Sequence, residues 1–113
     1  MKKLIWTNTA LEDVERIKQN IEQDSIIYAD RYTRNFLNKI TLLIELPELG
    51  KPLKIGEKYD KLNFREKLIS NYNVIYLVED GGLYIITVVH TARDRKHIRL
   101  AVRNFYKMRK DKK

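Results

Sequence analysis

Residues Tyr72-Asn73-Val74-Ile75-Tyr76-Leu77-Val78 carry apolar side chains at both odd and even positions, and this run constrains the fold more than any other. An extended strand points successive side chains to opposite faces, so such a run suits a central strand covered above and below. Two more stretches of strand length flank it, Leu62 to Ile69 and Leu83 to His90. The second and third join at Asp80-Gly81-Gly82, where glycine readily adopts the positive backbone angles of a tight hairpin. The three strands read as an antiparallel meander. In the first of them, Phe64-Arg65-Glu66-Lys67-Leu68 alternates, which places Phe64 and Leu68 on a core face and Arg65 and Lys67 together on the opposite one.

The chain ahead of the meander has helical spacing. Lys2 to Thr7 reads as a short opening strand, and Thr9, three residues before Glu12, has the spacing of a capping box. Leu11, Val14, Ile17 and Ile21 then share one face, with Glu12, Asp13, Glu15, Lys18 and Gln19 outside. Asp24 or Ser25 caps a second helix, in which Ala29, Tyr32, Phe36, Ile40 and Leu43 recur until Pro47 forbids continuation. Tyr28, Tyr32, Phe36 and Tyr59 fit a helix core or a loop anchor better than a base-stacking platform. So short a connection makes the helices antiparallel, and their combined apolar face needs a surface to cover. Pro47, Gly50, Pro52 and Gly56 punctuate a loop leading to the meander. Beyond Asp94, Ile98, Ala101, Val102, Phe105 and Met108 form a stripe at helical spacing. The expected fold class is α+β: an N-terminal strand and an α-helical hairpin packed on an antiparallel meander, with a basic C-terminal helix.

A chain of 113 residues without cysteine offers no disulfide framework and no thiolate metal site. His90 and His97 lack a partner pattern for zinc, and the four glycines make no phosphate-cradling run, so no metal and no cofactor is expected. The apolar opening stops at Thr7 and Asn8, too soon for a secretory core, and no apolar run approaches a membrane span. A cytoplasmic location and no membrane partner are the expectation. The net charge of +8 is unevenly placed: residues 1–92 are neutral overall, whereas residues 93–113 hold ten basic side chains against Asp94 and Asp111. Such a segment attracts polyanions through its summed field and counterion release, or serves as a solubilising tail.

Four strings, Leu46-Pro47-Glu48-Leu49-Gly50-Lys51-Pro52, Phe64-Arg65-Glu66-Lys67-Leu68, Asn71-Tyr72-Asn73-Val74-Ile75-Tyr76 and Val89-His90-Thr91-Ala92-Arg93-Asp94, stand in this order after a strand and a helical hairpin. The arrangement resembles the RelE/ParE superfamily of bacterial toxins over about residues 1–97, with residues 98–113 a basic helix packed on the same domain. The resemblance implies the toxin half of a type II toxin-antitoxin pair, neutralised by a wrapping antitoxin, here expected to be acidic. Members like RelE cut messenger RNA in the ribosomal A site without a metal; members like ParE poison DNA gyrase and perform no chemistry of their own. The Pro-Glu-Leu-Gly loop, the His-Thr-Ala-Arg-Asp ending and the length of the helices look closer to the ParE side. A degenerate relative that only binds nucleic acid is a third possibility.

Metal-free RNA cleavage needs a base, an acid and cations for the charge building on phosphorus. Arg65, Lys67, His90 and Arg93 are the side chains able to supply them, and Arg95, Lys96, Arg99, Arg103 and Lys107 are the candidates for binding nucleic acid or a partner. Each catalytic candidate also has a structural alternative. Arg65 suits an ion pair with Glu66 or a tail carboxylate, His90 a bond to a backbone carbonyl, and Arg93 a local pair with Asp94.

Overall fold

The apolar run at Tyr72–Val78 lies in β4 (Tyr72–Glu79), the middle strand of a five-stranded sheet. The computed structural model describes residues 2–90 and 95–111. Its elements are β1 (Lys3–Trp6), α1 (Asn8–Glu22), α2 (Ile26–Glu45), β2 (Lys51–Pro52), β3 (Asn63–Ile69), β4, β5 (Gly82–His90) and α3 (Arg95–Asp111), with single 3-10 turns at Pro47–Leu49 and Glu57–Tyr59. The sheet order is β1-β5-β4-β3-β2; β3, β4 and β5 form the expected antiparallel meander, and β1 lies parallel to β5 at one edge.

Alternation divides β4 between two cores. Val74 and Tyr76 face the helical hairpin, where they pack with Phe36, Ile40 and Leu43 of α2 and Ala10 of α1. Ile75 and Leu77 face the other way, onto Ile98, Ala101 and Val102 of α3. The chain is thus three layers deep, hairpin, sheet and helix, which is why both parities of β4 are apolar. Met108 falls outside the second core at 59% exposure and lies instead along a groove between α3 and β1. Leu68 is likewise 59% exposed rather than buried: Arg95, the first residue of α3, reaches Glu66, and Leu68 lies beyond that helix. The Pro/Gly loop holds a two-residue strand, β2, paired to Arg65 and Glu66, which its prolines and brevity conceal in the sequence.

The entry to α1 differs from the expected capping box. Thr7, not Thr9, is the N-cap, its hydroxyl accepting from Ala10 N at 3.1 Å. The same hydroxyl donates to the carbonyls of Ile85 (2.8 Å) and Ile86 (3.0 Å) on β5. A β-bulge lies there, since Ile75 pairs with Thr87 and Tyr76 with Ile85, leaving Ile86 without an opposite residue. One and a half turns along α1, Asp13 closes the other side of the bulge. Its Oδ2 accepts from Thr87 Oγ1 at 2.5 Å and from Val88 N at 3.0 Å, and the residue is only 4% exposed. Asp13 therefore belongs to the interior and not to the outer face, while Leu11, expected inside, is 52% exposed. The tertiary contact at the bulge sets the rotation of α1 and overrides its apolar stripe.

Asp13→Ala is expected to cost about 2–4 kcal/mol, because it orphans a buried hydroxyl and a buried amide. Glu12→Ala, one residue away on the exposed side, is expected to leave the urea midpoint essentially unchanged. Paired denaturation curves check both.

Candidate functional site

Three of the four catalytic candidates lie on described strands; Arg93 lies outside the described residues. Arg65 and Lys67 pair across to Tyr76 and Val74, so both sit on the hairpin side of the sheet. Arg65 is tied to the loop there: one guanidinium nitrogen donates to Gly50 O at 2.5 Å, and Nε donates to Asn63 Oδ1 at 3.1 Å. The Tyr76 hydroxyl completes the lock, donating to Pro47 O at 2.7 Å and accepting from Gly50 N at 2.9 Å. A β-carbon at position 50 would strike the Tyr76 hydroxyl and the Glu66 carbonyl, so glycine is required there by close approach. The Pro-Glu-Leu-Gly loop is thus fastened by Tyr76 and Arg65.

His90 ends β5, exposed, with its ring edge-on to Tyr72 at 5.2 Å. Tyr72 in turn packs edge-on to Tyr32 and Phe36 of α2. Within the register, His90 stands opposite Tyr72 and Tyr72 opposite Ile69. Two strand spacings and two to four residues of rise therefore separate His90 from Lys67 and Arg65, roughly 12 and 16 Å between backbones. The three positions are spread across the sheet and do not form a compact cluster.

The cations of α3 divide into two classes. Arg95 donates to Glu66 Oε1 at 3.0 Å and to Lys54 O at 3.4 Å, and Asn73 donates to the same Glu66 oxygen at 2.9 Å. Arg109 grips Glu79 with two bonds of 2.8 and 2.6 Å and lies over the rings of Tyr84 and Phe105. The hydrogen bonds it donates to Glu79 hold its guanidinium charge more firmly than in free arginine. These two arginines fasten the ends of the helix to the sheet. Lys96, Arg99, Arg103 and Lys107 are all exposed, and their spacing of three or four residues lines them up along one side of α3.

Two hollows flank this framework. A groove of about 570 Å³ runs between β1 and α3, walled by Ile5, Trp6, Tyr84, Phe105 and Met108, with Arg109 at its rim. A more polar one of about 470 Å³ opens where β5 ends, lined among others by Asp13, Arg16 and Asn20 of α1, Tyr72, His90, and His97 of α3. Of these residues only His90 is foreseen from the sequence as a site. Asp13, Arg16 and Asn20 recur at i, i+3 and i+7, a polar row beside the buried Ala10 and half-buried Val14 and Ile17, and that periodicity was the available signal. Among the described residues, no three His, Cys, Asp or Glu side chains group as metal ligands, and no helix is long and apolar enough to cross a membrane.

Comparison with known proteins sets this geometry in context. The family model for the ParE toxin of type II toxin-antitoxin system, parDE, matches residues 4–95. The Caulobacter vibrioides protein Toxin RelE2 is 30% identical over 94 residues, covering 82% of this chain and 99% of that protein. In fold, the chain is similar to one from the chromosomal ParDE TA system of P. aeruginosa, with a TM-score of 0.65 at 15% identity, covering 80% of this chain and 96% of that one. It is also similar to a copper-bound point mutant of a Helicobacter pylori toxin, with a TM-score of 0.53 at 19% identity, covering 83% and 99%.

Tyr76 gives the loop lock a pH signature. Burial raises its phenol above the ordinary tyrosine value, against the smaller opposing pulls of Gly50 N–H and Arg65. A raised folded-state pKa means that the proton stabilises the fold: the contribution is complete below about pH 10 and is lost as the pH climbs through the folded value. Tyr76→Phe is expected to cost about 1–3 kcal/mol at neutral pH, since it leaves Pro47 O and Gly50 N unpaired. The gap between the two proteins should narrow above pH 10 in denaturant melts.

Proposed function

This chain belongs to the ParE toxin family of type II toxin-antitoxin systems, and we propose that it arrests growth by ParE-like interference with DNA gyrase, restrained in the cell by a cognate acidic antitoxin. The observation that carries the gyrase reading is the dispersal of the candidate catalytic groups. Arg65 is engaged by Gly50 and Asn63 in holding a loop, and His90 stands two strands away. General acid-base cleavage needs donors and acceptors within hydrogen-bond reach of one phosphorus centre, and this spread supports a toxin that acts by docking. Reading the antitoxin as acidic rests on Lys96, Arg99, Arg103 and Lys107, four exposed cations in a row along one side of α3. A segment carrying acidic residues at matching spacing fits that row.

Purified chain is expected to inhibit supercoiling by gyrase and to trap cleaved DNA, with no effect on message. Cleavage of messenger RNA only on translating ribosomes would overturn the gyrase reading in favour of a RelE-like endonuclease. Failure to arrest growth on expression would leave a nucleic-acid-binding relative. For the partner, Arg99→Glu combined with Arg103→Glu should leave the melting temperature nearly unchanged while weakening the antitoxin complex and flattening its salt dependence. Titration calorimetry at two ionic strengths reads the result.

A further inference from the structure

Helix α3 has two different flanks. On one, Ala101, Asn104 and Met108 wall the apolar groove shared with β1. On the other, Tyr106 packs edge-on against Tyr59 at 5.4 Å and Arg95 donates to Lys54 O at 3.4 Å, so the loop between β2 and β3 lies along the helix. Arg99 and Arg103 precede Tyr106 by seven and three residues and therefore share its flank, with Lys107 one position beyond it. All three cations are exposed. Their i, i+4, i+8 spacing sets one charge about every 6 Å along the helix axis.

The loop adds a second rank of cations that the charge count of the C-terminal segment does not reveal. Lys58 lies over both rings, 5.9 Å from the centre of Tyr59 and 5.5 Å from that of Tyr106, which holds its ammonium group beside the helix row. Lys54 and Lys61, both exposed, line a hollow of about 390 Å³ on the same loop. Glu57 and Asp60 are the acidic side chains of this turn, and against Lys54, Lys58 and Lys61 they leave it positive. The sequence of α3 has no acidic residue before Asp111.

Two ranks of cations, one on a helix and one on a loop, fit a ligand wider than a single extended peptide. The apolar groove lies on the other flank, so a ligand here is held by charge and not by apolar burial, as a nucleic-acid backbone is. Tyr59 and Tyr106 stand edge-on to each other under Lys58, an arrangement that supports the lysine and not a stacked base. We propose that the face formed by α3 and residues 54–61 binds the phosphate backbone of duplex DNA without regard to sequence, through Arg99, Arg103, Lys107 and Lys58. An acidic antitoxin lying on the helix row covers three of these four side chains, so antitoxin and DNA exclude each other. The choice of DNA as the duplex rests on the gyrase reading.

Fluorescence anisotropy of the isolated chain with short labelled DNA duplexes of two unrelated sequences tests the site. The expected result is equal binding of both, falling with added salt at a log-log slope of about −3 to −4, the value for four neutralised phosphates. Lys58→Ala should weaken binding several-fold and reduce that slope by about one, and Arg99→Glu with Arg103→Glu should abolish binding at physiological salt. Lys39→Ala, which removes the same charge from the exposed side of α2, should change neither affinity nor slope. Melting temperatures of all these variants are expected to match the parent chain. Absence of duplex binding, or a loss in Lys39→Ala equal to that in Lys58→Ala, overturns the site and leaves only net charge. An equal or tighter hold on duplex RNA, single-stranded DNA or polyglutamate overturns the assignment to duplex DNA. Supercoiling assays run beside the titrations keep the two readings apart: a chain that binds the duplex but leaves gyrase unaffected fails the gyrase reading alone, and one that inhibits gyrase without binding the duplex fails this one alone.

Discussion

The rest of the structure depends on a bulge in β5 that α1 satisfies from two sides. Leaving Ile86 unopposed switches the alternation of β5, so that Leu83 and Ile85 before the bulge and Val88 after it face the hairpin core, while Ile86 and then Val89 face the α3 core. Such a defect leaves ladder groups without strand partners, and buried backbone polar groups must be satisfied. Thr7 answers the carbonyls of Ile85 and Ile86, and Asp13 answers the Val88 amide and the Thr87 hydroxyl. Three consequences follow from this one clamp. The end of β1 is registered on β5 at Trp6 and Ile85, α1 leaves the sheet at a fixed angle, and the hairpin lands on Val74 and Tyr76. Gly82 belongs to the same arrangement at the far end of the β1–β5 pair, where any side chain would run into the backbone of Lys3.

The opposite face is held by less. Ile98, Ala101 and Val102, with the half-buried Phe105, carry the apolar contact of α3, and full burial of a Val or Ile is worth about 1.5–3 kcal/mol each. The two arginine-carboxylate bridges at its ends differ in kind. Arg95 meets a carboxylate that is nearly buried and shared with Asn73, so the geometry is specific and losing one partner would strand a buried charge. Arg109 and Glu79 are both partly exposed, so their two-point contact fixes orientation more than it adds stability. The basic excess of the C-terminal segment is therefore two things at once: fasteners at the ends and a free stripe between them.

What could be read from the sequence followed from how local each signal is. The two-faced apolar run of β4 and the row Ala29, Phe36, Ile40, Leu43 of α2 were legible because their periodicity alone states which way they face. Thr7 was not, since a capping box needs only residues 9 and 12, whereas the true cap is chosen by carbonyls 78 and 79 positions away. Asp13 reads as an outer-face residue for a related reason: aspartate is seldom buried, and only the bulge supplies donors that justify burying it. Leu68 looked like core by alternation, and the length of the helix above it decided otherwise. Pattern reports the face of an element, but not how far the neighbouring element extends.

The same distinction governs the candidate site. Charge and residue type nominated Arg65, Arg95 and Lys96 alike, yet their capacities in the fold are opposite. Arg65 and Arg95 are engaged with a loop carbonyl, an asparagine, a buried carboxylate and a second carbonyl, so removing either disturbs the fold before it disturbs any ligand. Arg16 sits among residues that read as an outer helix face, and its one carboxylate contact is long. Hydrogen-bond capacity left over after folding is what a ligand can use, and it becomes visible only when every donor has been assigned a partner. By that criterion the exposed row Lys96, Arg99, Arg103 and Lys107 of α3 is a surface left for recognition, while the Pro-Glu-Leu-Gly loop, for all its resemblance value, is a structural lock.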